Sequence, residues 1–279
     1  MLWPAKNISR ETQFIFLGMV FLFFMTIKPS WGYLERVYLI RPFDGHSLWV
    51  LLISVALLIR SLKNLQIDTT QPSNKGLIGV VFFFLVYQVA IVAEINLIAS
   101  AAAIGLLAYM FYALFGKFVW KQVLFPMAIL ILSLPITSLI DLWFGFQIRL
   151  LASQIAFSFL SLLGIAKDIM GVNIYLLNDV LTVDAECSGL KALSTVLILT
   201  LVLGHMIFKD AVGKRIILII CGIAIAGLSN AIRISTIGII SYKFGPEVAQ
   251  GIIHSWSGTF IFSLSLICLW PIYVQLEKK

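Results

Sequence analysis

Residues 76–116 read GLIGVVFFFLVYQVAIVAEINLIASAAAIGLLAYMFYALFG, and Glu94 is the one charged side chain among them. Glu94 divides this stretch into two apolar runs, 76–94 and 96–116. At 1.5 Å per residue each is about long enough to cross a ~30 Å hydrocarbon core. Comparable runs lie near 13–29, 47–60, 120–141, 187–208, 215–240 and 255–275, the second of marginal length. The pattern predicts an all-α polytopic membrane protein of about eight transmembrane helices.

Composition agrees. Hydrophobic residues make up 61% and charged residues 12%, with a mean hydropathy of +1.02. Soluble domains carry about 25% charged residues, and one globular core could not hide this much apolar surface. The net charge of +7 would suggest nucleic acid in a soluble chain. Here it is read as basic loops orienting helices, so a lipid bilayer is expected as partner and nucleic acid is not. Three cysteines make no disulfide framework. No CxxC, HExxH or Gly-rich phosphate loop occurs, so neither cofactor nor metal is expected.

The first run follows Lys6 and Arg10, as a signal peptide would, but lacks a small-x-small cleavage pattern and ends in Lys28-Pro29-Ser30-Trp31. It reads as a retained signal-anchor helix over 1–30. With no internal repeat, one integral domain over 1–279 is expected, with a catalytic core of about 120–275. An N-in, C-in arrangement places twelve of the twenty Lys and Arg residues on inner segments: Lys6, Arg10, Arg60, Lys63, Lys75, Lys117, Lys121, Lys209, Lys214, Arg215, Lys278 and Lys279. The bias sets the orientation.

The longest outer segment runs from 142 to 186. Over 142–164 an apolar face is paired with Gln147, Arg149, Ser153 and Gln154, which fits an amphipathic surface helix, a re-entrant helix or a tightly packed one. Gly171-Val-Asn-Ile-Tyr-Leu-Leu and Val180-Leu-Thr-Val-Asp-Ala-Glu, separated by Asn178-Asp179, predict a small outer-face β-hairpin before the sixth helix. Strands must sit in water or under protein, because hydrocarbon satisfies no backbone group.

The chemistry concentrates beyond that hairpin. Asp184-Ala-Glu-Cys187-Ser-Gly-Leu-Lys191 puts a cysteine where an extended segment meets a membrane helix. A helix N-terminus favours thiolate, and Gly189 leaves room for a peptide. Cys221 and Cys268, inside uniformly apolar helices, read as buried small hydrophobes. In Asn230-Ala-Ile-Arg233 the arginine lies about 27 Å along its helix from Arg215. A charge at that depth marks a functional site unless it snorkels, and Asn230 shares its face at i−3. His254-Ser-Trp-Ser-Gly258 opens the last helix. His46 reads as a surface residue, and His205 lies near the opposite end of its helix. Pro135, in Ile131-Leu-Ser-Leu-Pro135-Ile-Thr, ends or kinks the fifth helix.

Cys187, Arg233 and His254 come from consecutive helices and map to one membrane face, where neighbours in sequence are usually neighbours in space. Nucleophile, oxyanion stabiliser and general base make a coherent set. Glu186, Ser188, Gly189, Asn230 and Ser257 flank them and are expected to line the substrate path, with Glu186 facing substrate or solvent.

Glu-Cys-Ser-Gly-Leu-Lys at 186–191, Asn-x-x-Arg at 230–233 and His254 opening the final helix resemble the exosortase/archaeosortase family. The run from Pro135 through Leu163-Leu-Gly164-Ile to Gly171-Val-Asn-Ile adds to the likeness, which covers about 75–275. The resemblance implies a membrane-embedded cysteine transpeptidase or protease with Cys187 as nucleophile, completed by Arg233 and His254. Its implied partners are secreted proteins with a C-terminal sorting signal: a short motif such as Pro-Glu-Pro, a transmembrane helix and a basic tail. The implied location is a cell inner membrane, with the site on the outer face. The alternative is a transporter, or a lipid- or exopolysaccharide-handling protein, whose Arg233 binds an anionic head group.

Overall fold

The computed structural model describes residues 18, 23–40, 47–63, 73–185, 187–208, 211–249, 251 and 254–278, with backbone alone at 40, 254–256 and 259–261. Long helices dominate: α1 (Ser47–Lys63), α2 (Asn74–Val92), α3 (Asn96–Leu132), α4 (Thr137–Leu162), α5 (Leu190–Ile207), α6 (Val212–Phe244) and α7 (His254–Lys278). Between α4 and α5 lie β1 (Ala166–Met170), β2 (Asn173–Leu176) and β3 (Val180–Thr182). Among the described residues α2 to α6 are long and apolar enough to cross a membrane. The chain divides into two compact units, Met1–Ile136 and Thr137–Lys279.

In the first unit α2 and α3 meet at the predicted break. Ile95 N–H donates to Ala90 O (2.9 Å) and Glu94 N–H to Ile91 O (3.1 Å), while Glu94 itself takes φ 59°. These are the crossed bonds that satisfy the last carbonyls of a helix, with Glu at the left-handed position glycine usually fills. The helices then pack through small residues. A Cβ on Gly76 would stand 2.3 Å from the Ala113 nitrogen, so this contact admits no larger side chain. Farther along, α3 leaves helical geometry at Gly116 (φ 78°, ψ −173°), which separates the two runs expected there. Its second arm ends at Leu132, just before Pro135.

The second unit places a helix where the sequence left several readings open. On α4, Ala152, Ser153, Ala156 and Leu160 are buried, the spacing of one helical stripe. Its polar groups are taken up within the unit: Arg149 pairs with Asp141 (3.1 Å), and Ser153 Oγ donates to Leu150 O and Gly171 O. One stripe of α4 is therefore packed against the unit, while Leu142, Trp143, Phe144 and Leu162 leave the rest of the helix exposed. Gly164, at φ 70°, closes it with the same crossed bonds seen at Glu94, and the chain turns into β1.

The predicted hairpin is present as β2 and β3, paired antiparallel with Ile174 opposite Leu181. A further strand, β1, pairs antiparallel with β2 and completes a three-stranded meander. Ile174 and Leu176 alternate inward along β2, as the two-residue period of a half-buried strand requires. They pack with Ala156 and Leu160 of α4, Ile234 of α6, Val183 and Cys187.

The Asn178-Asp179 turn is bound to the end of α6. Asn178 Nδ2 donates to Tyr242 O (3.0 Å), and Ser241 Oγ donates to Asp179 Oδ2 (2.5 Å). Tyr242 O is one of the last-turn carbonyls that α6 leaves without a helical partner.

Candidate active site

The 184–189 loop is held by its own backbone and side chains. Cys187 N–H donates to Asp184 Oδ1 (2.9 Å) and to Asp184 O (3.2 Å). Ser188 Oγ donates to Ala185 O (2.8 Å) and accepts from Leu190 N–H (3.3 Å), which occupies one orphan donor of the helix beginning there. The helix opens at Leu190 rather than at Cys187 as the sequence suggested. Gly189 takes φ 74° as its N-cap, a turn that most residues resist. Cys187 thus sits in the loop before the first helical turn, buried in the core shared by α4, the sheet and α6.

From α6, Asn230 and Arg233 reach this loop and α7. Asn230 Nδ2 donates to Cys187 O (3.0 Å), a fully buried bond. A Cβ on Gly189 would lie 2.5 Å from Asn230 Cγ, so the loop and the amide are in direct contact. One turn on, Arg233 Nε donates to Ser257 Oγ (2.9 Å) on α7. A Cβ on Gly258 would stand 3.8 Å from the guanidinium, an ordinary contact distance, so Gly258 borders Arg233. Arg233 is 9% exposed and Asn230 5%. Neither side chain faces the surroundings as a snorkelling anchor would.

The structure brings Cys187, Ser188, Gly189, Asn230, Arg233 and Ser257 into one connected cluster. Glu186 lies outside the described residues. His254 opens α7 one turn before Ser257, and its side chain lies outside them too. His205 sits in the last turn of α5, about 22 Å along the axis from Leu190, far from this cluster. Cys221 is half-buried and Cys268 exposed. Sequence reasoning missed Asp184 and Gly258. An aspartate three residues before a loop cysteine is the local signal for a side-chain-to-backbone turn, but nothing in the sequence points Gly258 at Arg233.

Helix length explains the level of the site. The 33 residues of α6 make about 50 Å, whereas about 20 cross a hydrocarbon core. A crossing that began at Lys214 would end close to Arg233, with the remaining turns overhanging. The sequence ended this helix near Ile240, but it runs to Phe244, so the overhang is a turn longer than expected. Gly238, Ser241 and Tyr242 on the overhang are the residues that Leu181 and the Asn178-Asp179 turn contact. The sheet thereby packs against the last turns of α6.

An apolar cavity of about 290 Å³ opens between α5 and α7, lined by Leu199, Leu203, Leu266 and Trp270 among others. Leu199 lies about 13 Å along α5 from Leu190, so this space is separate from the polar cluster.

No curated protein and no solved structure matches the chain. Among known families, the transmembrane exosortases match over residues 39–271. That span takes in every candidate residue and most of the chain, as the motifs around Cys187 and Arg233 led us to expect. The chain belongs to the transmembrane exosortase family.

Proposed function

We propose that the protein is a membrane-embedded cysteine transpeptidase or protease acting on the C-terminal sorting signal of secreted proteins. The observation that carries this reading is the direct Asn230–Cys187 bond beside the Arg233–Ser257 contact, within a chain of the transmembrane exosortase family. The substrate's own helix would lie in the bilayer and present its motif at the outer boundary, beside the Cys187 loop.

The chemistry follows from the groups present. The Cys187 thiolate attacks the scissile carbonyl carbon, and the C=O electron pair moves onto oxygen. Arg233, held in low dielectric, stabilises that oxyanion. Collapse re-forms the carbonyl, breaks the C–N bond and leaves a thioester on Sγ. His254 takes the thiol proton first and then delivers it to the leaving amine. An acceptor amine or hydroxyl, or water, then attacks the thioester and returns the thiol.

The test is co-expression with a protein ending in a motif, a membrane helix and a basic tail. The wild-type chain is expected to shorten that substrate. Cys187→Ala and Cys187→Ser should each reduce processing at least about 10³-fold, as removal of a nucleophile does. Processing unchanged in both variants would end the proposal.

A second reading rests on Arg233, a buried cation beside Ser257: lipid or exopolysaccharide handling, with that guanidinium on an anionic head group. It predicts the opposite pattern, loss with Arg233→Ala and tolerance of Cys187→Ala.

A further inference from the structure

The sequence assigned Asn230 to the substrate path, but its environment suits another task. Its Nδ2 is committed to Cys187 O at 3.0 Å in a buried bond. The residue is 5% exposed, and its Cγ stands 2.5 Å from where a Gly189 Cβ would be. A peptide could not reach this amide without first displacing the Cys187 loop. Asp184 and Ser188 shape the loop from within its own few residues. Asn230 ties it to another helix.

That helix also carries Arg233, on the same face one turn on, and Arg233 is lodged against Ser257 and Gly258 of α7. The separation between the cysteine loop and the guanidinium is therefore set through about one turn of a single rigid helix.

We infer that Asn230 is a positioning residue: its amide clamps the Cys187 loop to α6 and fixes the thiol relative to Arg233. Gly189 is the other half of the clamp. It supplies the left-handed turn and, by lacking a Cβ, lets the amide reach the Cys187 carbonyl. The significance of Cys187 as nucleophile rests on the function proposed above, whereas the clamp itself does not.

The experiment measures alkylation of Cys187 by a small maleimide in folded, full-length protein in detergent, with Cys221→Ser and Cys268→Ser removing the other thiols. In the parent the thiol is buried and reacts slowly. Asn230→Ala frees the loop, so alkylation should rise about tenfold while substrate processing falls by a similar factor. Asn230→Asp keeps the shape but, ionised, turns an acceptor toward the Cys187 carbonyl. It should shift both readouts the same way, and it serves if the alanine variant does not fold.

Unchanged or slower alkylation in the folded variant overturns the clamp, and loss of processing alone would return Asn230 to substrate binding. If Cys187→Ala leaves processing intact, the catalytic proposal fails while the alkylation result still decides the clamp.

Discussion

Gly189 and Glu94 occupy the same region of backbone space at φ 74° and 59°, with opposite consequences. At Gly189 an added methyl would meet the turn's intrinsic preference and the Asn230 amide together. Gly189→Ala is expected to destabilise the protein by about 2–4 kcal/mol from left-handed strain plus overpacking. It should be read as a lowered Tm in detergent accompanied by loss of processing. At Glu94 the side chain is exposed and the strain serves only to turn the chain between α2 and α3. Glu94→Gly is expected to stabilise by about 0.5–1 kcal/mol, the left-handed strain relieved less the entropy glycine loses on folding. The readout is a raised Tm, and a lowered one would contradict this account. Cys187 was legible as a candidate because polar and charged residues flank it where an extended segment meets a helix, and Arg233 because a charge is out of place in an apolar helix. Asn230 was not legible in the role it takes, because that role depends on what stands opposite it in space.

At the scale of elements, the meander and the overhanging end of α6 support one another. Asn178-Asp179 was readable as a turn because both residues tolerate tight backbone and hydrogen-bond locally. β1 was not readable: Ala166-Lys-Asp-Ile-Met has one β-branched residue and does not alternate evenly, and it is a strand because β2 offers it a partner. The clip between turn and helix is a charge-assisted bond of Ser241 to Asp179, reinforced by Val180 N–H on Asp179 Oδ1 at 2.7 Å. Asp179→Ala is expected to cost about 1.5–3 kcal/mol, as loss of a bond to a charged group does. Because the sheet is fastened there, the loss should appear locally, as faster hydrogen exchange at Leu176 and Val180 and easier proteolysis within 177–182. Uniform destabilisation with unchanged exchange at those amides would show that the turn is held by other contacts.

For the molecule as a whole, the decisive measurement is the contrast between Cys187→Ala and Arg233→Ala in a processing assay. Loss in both is expected of a cysteine transpeptidase, and loss in the arginine variant alone of a head-group binder. Residues 39–271 give the chain its family, where the motifs alone carried the likeness over about 75–275. By itself the sequence determined that the protein is helical and membrane-embedded, because a chain 61% hydrophobic and 12% charged has no other way to leave water. It also determined where most helices break, since Glu94, Gly116 and Pro135 interrupt the apolar runs locally. Only the tertiary structure decided that α4 buries a single stripe against the sheet and α6, that Cys187 lies in the loop before α5, and that Asn230 is spent on the Cys187 carbonyl. Periodicity reports which face of a helix is apolar. Which buried donor meets which buried acceptor depends on residues 43 positions apart, and that pairing is settled by packing.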